Sequence, residues 1–344
     1  MRSFENDYSE GALPQVLEAL VKTNFEQSPG YGTDSYCAEA GDVIRGLIAD
    51  ESADVHFLSG GTLVNLCFIS SALRPHEAAI AAVSGHISVH ETGAIEATGH
   101  KVIELPSSDG KLYPEQIKEL CENYWADPTH EHIAKPKLLY ISQPTECGTL
   151  YSIRELEELY KLCKEQKLYL YIDGARLGTA LVSDKFGGSI EELSKVCDAF
   201  TIGGTKLGAL FGEALVIMND NLKPEFRWMM KQRGGMMAKG RLLGVQFLEL
   251  MKDGLYFDVG RHENSLALRL RDAFLDKGYE LMYDSYTNQQ FPLVPLKDVE
   301  KLSENFDFSK MDIVDGTHQI LRFCTSWATS SEDIDEFIDF LKTV

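Results

Sequence analysis

The chain predicts an α/β fold: a large, mainly parallel sheet covered by helices on both faces, followed by a smaller C-terminal α/β unit. Three observations carry this. Short apolar runs alternate with amphipathic helical patterns through the first two thirds of the chain, and strands that read as continuous apolar runs belong to sheets buried on both faces. The connections between them are short turns, so strand, helix and strand repeat in close succession. Beyond about residue 245 the texture changes to helices mixed with short strands, so the expected units are residues 1–245 and 246–344.

The elements follow in order. Residues 4–14 are polar and turn-like, and a first helix starts at Pro14 and runs to Lys22. SPGYGTD, residues 28–34, is a glycine-rich loop. A short strand at 54–58 leads to Gly60-Gly61-Thr62, which opens an apolar helix over 63–73. Buried strands are expected at 78–83, 102–105, 138–142 and 168–172, and a further one at 199–202. Pro114 starts a helix with Ile117, Leu120, Cys121 and Tyr124 at i, i+3, i+4 and i+7. Ser152 with Glu155, and Ser189 with Glu192, have the spacing of capping boxes at two further helix starts. In the last third a strand at 322–324 is followed by a closing helix bearing Ile334, Phe337, Ile338 and Leu341.

Composition excludes several classes of function. The net charge of -20 over 344 residues leaves no basic stripe for nucleic acid. No apolar run reaches the length of a membrane span, and the start MRSFENDYSEG lacks the pattern of a signal peptide, so a cytoplasmic protein is expected. The seven cysteines form no CxxC pair and lie mostly among hydrophobes, which fits core thiols in a reducing compartment.

Two charged residues follow strand candidates directly and so reach the edge where open α/β sheets bind ligands. Asp173 ends the run LYLYI and is followed by Gly174-Ala175-Arg176; Lys206 follows Gly203-Gly204-Thr205. An aspartate against a pyridine nitrogen keeps it protonated, and a lysine amine forms a Schiff base; equally, Asp173 and Arg176 can form a structural pair, and Lys206 can lie on a turn with its stem over apolar neighbours. Gly61-Thr62 at a helix start suits a phosphate, although many glycine turns only connect elements. His86, just after the strand at 78–83, can stack on a ring or be an ordinary core histidine. A nucleotide-binding reading fails on spacing, since Lys206 follows Thr205 without the Gly-Lys-Ser/Thr order. His86, His90 and Glu91 lack the HExxH order of a zinc protease, and no metal is expected.

The segments GGTLVNL (60–66), GHISVHETGA (85–94), IDGARLGTA (172–180), GGTKLGA (203–209) and LRFCTSWATS (321–330) resemble the threonine aldolases, pyridoxal-phosphate enzymes of the aspartate aminotransferase fold, fold type I. The resemblance covers nearly the whole chain in the same order. It implies a seven-stranded, mainly parallel sheet in the large domain and pyridoxal 5'-phosphate as cofactor. Position by position it implies that Lys206 carries the cofactor, Asp173 pairs with the ring nitrogen, Arg176 meets the 3-hydroxyl oxygen, Gly61 and Thr62 hold the phosphate, and His86 stacks on the ring. Arg322 would take the substrate carboxylate, and Asn6 stands where many members have a substrate-binding serine. The family assembles as a dimer of dimers with sites at the dimer interface, so Tyr31 would reach a neighbouring site and Lys231, Lys239 or Arg241 would supply a phosphate contact from the partner chain. The implied reaction is retro-aldol cleavage of L-threonine or L-allo-threonine to glycine and acetaldehyde. The sequence departs from the family at one place: many threonine aldolases have Thr-His-Asn-Gly where this chain has Thr145-Glu146-Cys147-Gly148. That leaves Glu146 and His132 as alternative bases, and keeps open β-elimination or cleavage of a bulkier β-hydroxy amino acid such as phenylserine.

Overall fold

The computed structural model describes residues 2–344. Seven strands form the main sheet: β1 (Asp54–Leu58), β2 (Glu77–Ala82), β3 (Lys101–Leu105), β4 (Lys135–Ser142), β5 (Tyr169–Asp173), β6 (Ala199–Gly203) and β7 (Glu213–Ile217). Their spatial order is β1-β7-β6-β5-β4-β2-β3. Every pair in the run β6-β5-β4-β2-β3 is parallel, and β7 runs antiparallel to both β1 and β6. The mainly parallel seven-stranded sheet expected from the sequence is present; β7, which the sequence reading did not single out, is the inverted member.

The two faces of the sheet are filled by alternate residues of the same strands, as the two-residue period of a strand requires. One face takes Leu139, Ile141, Leu170, Ile172, Phe200 and Val216. Against it pack the helices Ser35–Ile48, Ile153–Gln166 and Arg241–Met251, through residues such as Ile44, Leu159 and Phe247. The other face takes Leu138, Tyr140, Tyr171, Leu215 and Ile217 under Val64, Cys67 and Phe68 of the helix Gly61–Ala72. Both expected capping boxes form: Ser152 with Glu155, and Ser189 with Glu192.

A third core gathers around the strand His318–Cys324, which pairs antiparallel with Pro292–Pro295 and Ser309–Val314. Phe274, Phe323, Ile334 and Phe337 fill it. The 22-residue helix Leu255–Asp276 joins the cores: Tyr256 and Val259 belong to the first, and Leu266, Leu270 and Phe274 to the third. The N-terminal segment also enters the third core. Arg2–Ser3 pairs parallel with Phe306–Asp307, and Phe4 is buried beside Phe306, Phe323 and Phe337. That anchoring carries the next residues, including Asp7, back to the edge of the main sheet. Among the described residues no helix is long and apolar enough to cross a membrane.

Candidate active site

The carboxyl ends of the parallel strands converge on one cavity of about 260 Å3, lined by Gly60, Gly61, Thr62, His86, Asp173 and Lys206 and also by Ser142, Glu146, Arg176 and Glu213. Residues distant in sequence meet here because strand ends, not sequence neighbours, define the edge.

Asp173 ends β5 and is buried on the face covered by the helix Gly61–Ala72. Its Oδ2 accepts from Tyr140 Oη at 2.7 Å and Asn65 Nδ2 at 2.9 Å, and its Oδ1 from the Ala175 N–H at 3.0 Å. Asn65 is fixed in turn: its Oδ1 accepts from Tyr171 Oη at 2.8 Å, and its Nδ2 also donates to Glu91 Oε1 at 2.7 Å. The same Glu91 oxygen lies 2.8 Å from His86 Nδ1. Burial opposes a charge on His86, but the hydrogen bond to Glu91 and the charges of Asp173 and Glu91 outweigh it and raise its affinity for a proton. A single chain of polar contacts therefore fixes both the carboxylate and the imidazole.

Lys206 stands on a loop that is closed on itself just before β7. The N–H groups of Gly204 and Thr205 donate to the Gly212 carbonyl, and the Gly212 N–H donates to Thr205 Oγ1 at 3.0 Å. The loop also fits tightly against the Asp173 turn: a Cβ at Gly203 would lie 2.2 Å from the Ala175 carbonyl oxygen, so only glycine fits there. Burial, helped by the Arg176 charge, lowers the Lys206 pKa, and more of the amine is neutral than on a free lysine.

Gly60 and Gly61 begin the helix Gly61–Ala72, and a Cβ added at either would meet nothing within 4 Å. Unpaired N–H groups of the first turn point out of such a helix end and make an anion cradle. The donor set fits pyridoxal phosphate: open first-turn amides for the phosphate, a carboxylate with three donors for the ring nitrogen, and an amine held toward its neutral form.

Glu146 joins this cavity directly. Its Oε1 accepts from Ser142 Oγ at 2.6 Å and from the His86 N–H at 3.0 Å. Burial raises its pKa, with the Asp173 charge adding to the effect and the Ser142 bond opposing it. Arg176 is held by Asp7 through two hydrogen bonds, and Asp7 Oδ2 also accepts from Asn288 Nδ2 at 2.8 Å. Arg322, in the strand His318–Cys324, donates from Nη2 to the Glu5 carbonyl at 3.2 Å and Ser309 Oγ at 3.0 Å, and its buried Nε has no partner.

Other residues singled out from the sequence lie elsewhere. His132 is exposed in the turn His130–His132 that precedes β4, so it sits at the sheet edge opposite the cavity, and the fold does not bring it to Lys206. Asn6 closes a local turn, its Oδ1 accepting from the Tyr8 N–H and Ser9 Oγ. Tyr31 is exposed with Lys231 Nζ 4.3 Å from its ring centre, Lys239 is exposed, and Arg241 donates to the Thr23 carbonyl; none of the four lines the Lys206 cavity of its own chain. Sequence reasoning missed Asp7, Asn65, Tyr140 and Glu213, and weighed Glu91 only as a metal ligand. Asn65 and Glu91 fall inside the quoted GGTLVNL and GHISVHETGA segments, so a helix-facing reading of those segments was the available signal.

Comparison with known proteins places this arrangement. The beta-eliminating lyase family model matches residues 7–295. A low-specificity L-threonine aldolase from a Pseudomonas species is 30% identical, with 100% of this chain and 98% of the relative aligned. One from Escherichia coli is 28% identical over 93% of this chain and 92% of its own length. Among solved structures, a threonine aldolase from Leishmania major superposes with a TM-score of 0.97 at 46% identity, covering 100% of this chain and 99% of that one. A serine palmitoyltransferase from Sphingomonas wittichii, at 15% identity and a TM-score of 0.70 with 99% of this chain and 86% of that one covered, shares the fold alone. With the family model spanning most of the chain and a whole-length relative at 30% identity, the chain belongs to the beta-eliminating lyase family and, within it, to the threonine aldolases.

Proposed function

We propose that this chain is a pyridoxal-phosphate-dependent lyase that cleaves L-threonine and L-allo-threonine to glycine and acetaldehyde. The observation that carries the reading is the convergence of the Gly61 helix start, Asp173 and Lys206 on one cavity.

Bound pyridoxal phosphate would supply a ring that accepts the electron pair left at Cα when the Cα–Cβ bond breaks. The protein supplies the rest. The first-turn amides of Gly61 and Thr62 would bind the phosphate, and Lys206 would provide the amine for covalent attachment. Asp173, fixed by Tyr140 and Asn65, would hold a proton at the ring nitrogen, and His86, fixed by Glu91, would pack against the ring. Arg176 contacts the 3-hydroxyl oxygen from a position set by Asp7. Arg322 would bind and orient the substrate carboxylate. Glu146 takes the proton of the substrate β-hydroxyl: it is in the cavity, next to His86, whereas His132 is at the opposite sheet edge. General-base help of this kind contributes roughly 10²–10⁴ in rate.

The chain works as a homo-oligomer, a dimer of dimers, in which Tyr31 and one of Lys231, Lys239 or Arg241 complete a neighbouring site. Free, buried cysteines at all seven positions fit the cytoplasm. The test is a panel of L- and D-β-hydroxy amino acids assayed for aldehyde and glycine. Equimolar acetaldehyde and glycine from threonine are expected; pyruvate and ammonia from serine would instead make the chain an eliminating enzyme, and exclusive turnover of phenylserine an aldolase for bulkier substrates.

A further inference from the structure

Glu213 opens β7 as a buried carboxyl group, 5% exposed, whose Oε2 has no hydrogen-bond partner. A buried carboxylate without full compensation is costly, so the position calls for an explanation. Strand register supplies the location. Glu213 lies opposite Leu58 at the end of β1 and opposite Gly203 at the end of β6. Leu58 leads into Ser59-Gly60-Gly61-Thr62, and Gly203 into Gly204-Thr205-Lys206.

Side chains two and four residues further along β7, Leu215 and Ile217, lie in the core beneath the helix Gly61–Ala72 together with Leu58. By the two-residue period of a strand, Glu213 points to that same face. It stands where the helix begins, and it lines the cavity together with Gly60, Gly61, Thr62 and Lys206. A buried carboxyl group with one unpartnered oxygen thus lines the same cavity as the anion cradle.

The charges around it are few. Lys206 comes from the loop after β6 and Asp173 from the end of β5. The Tyr171 hydroxyl of β5 and the Tyr256 hydroxyl of the helix Leu255–Asp276 also sense its charge. On β1, His56 packs against the Phe226 ring and faces Asp54, and Arg233, past the end of the helix Phe226–Gln232, acts on Cys67. The helix Gly61–Ala72 carries no charged side chain. Burial dominates and pushes the Glu213 carboxyl up to about 8, with Lys206 as the main opposing influence. Burial thus favours the protonated form of this group, against Lys206 and against hydrogen bonds from Thr205 and the Gly204 N–H.

We propose that Glu213 is a cofactor-retaining residue that works in its neutral acid form, donating a hydrogen bond from its carboxyl O–H to the phosphate held at the first turn of the helix Gly61–Ala72. This rests on the reading of the cavity as a pyridoxal-phosphate site. Neutral Glu213 stabilises the bound phosphate; ionised Glu213 repels it, so cofactor binding weakens as pH rises through the Glu213 ionisation. Linkage sets the size of the effect at up to about tenfold per pH unit above that ionisation.

The experiment measures the dissociation constants of pyridoxal phosphate and of pyridoxal, which lacks the phosphate, for the apo-protein between about pH 6.5 and pH 9.5, with Glu213 ionising within that window. For the unaltered chain, pyridoxal phosphate should weaken with rising pH more steeply than pyridoxal. In Glu213→Gln, which keeps a donor that cannot ionise, the two ligands should show the same pH dependence. Equal slopes for both ligands in the unaltered chain, or an unchanged difference in Glu213→Gln, would overturn the proposal while leaving the cofactor assignment intact. Absence of pyridoxal-phosphate binding at every pH would sink the cofactor assignment and this inference with it. The comparison of the two ligands on the unaltered chain stands even if the variant does not fold.

Discussion

Asp7 and Arg176 form a two-pronged ion pair, Oδ2 to Nε at 2.6 Å and Oδ1 to Nη2 at 3.0 Å, with the Asp7 side chain fully buried. It joins the N-terminal segment to the turn after β5, so the residue that would face the cofactor's 3-hydroxyl oxygen is held by a partner 169 positions away. Burial would raise the Asp7 pKa, but the charges of Arg176 and Lys206 outweigh it and leave it lowered. Asp7→Ala strands a buried guanidinium and should cost about 3–5 kcal/mol of stability. Denaturant unfolding measures this; a loss well under 1 kcal/mol would show that the pair contributes little.

The same pair sets an acid limit. A carboxylate with a depressed folded pKa contributes stability above its unfolded value, near 3.8, and loses it as pH falls through the folded value. Thermal melts of the parent chain should therefore fall on the acid side of about pH 4, and in Asp7→Asn that part of the fall should be missing.

Glu146→Gln keeps the oxygen that accepts from Ser142 and His86 but removes the basic group. It should lower kcat by about 10²–10⁴ while pyridoxal-phosphate content is unchanged. Glu146→His, which restores the residue many threonine aldolases have here, should recover part of the rate. Full activity in the Gln variant would remove Glu146 from the proton transfer.

Arg322→Ala should raise KM for threonine far more than it weakens cofactor binding, the role proposed for the guanidinium being to take the substrate carboxylate. Parallel losses of both would show that the variant disturbs the strand His318–Cys324 instead. Phe337→Ala serves as a structural reference away from the cavity: it removes a ring packed against Phe4, Phe274, Phe306 and Phe323 and should cost about 3–5 kcal/mol.

Residues whose roles depend on local pattern were legible before the structure. Gly61, Asp173 and Lys206 each follow an apolar run at a turn, and in a parallel sheet that is enough to place them on one edge. Asp7 and Asn65 were not legible, because each is defined by a partner far along the chain, and Glu213 was not, because its place depends on the register of β7 against β1 and β6. His132 shows the opposite error: it was weighed as an imidazole available to the substrate, but it precedes its strand instead of following it. The inversion of β7 was hidden for a related reason, since Ala214 to Ile217 reads as an apolar run in either direction. Glu146 was visible as a departure from the family pattern, but its contacts to Ser142 and His86 belong to the tertiary structure alone.

The most direct test of the assignment is the site of covalent cofactor attachment. Purified protein supplied with pyridoxal phosphate, reduced with borohydride and digested should carry the phosphopyridoxyl group on Lys206, and Lys206→Ala should lose both that mass and the visible absorbance. A label on any other lysine, or a Lys206→Ala variant that keeps the covalent chromophore, would contradict the assignment.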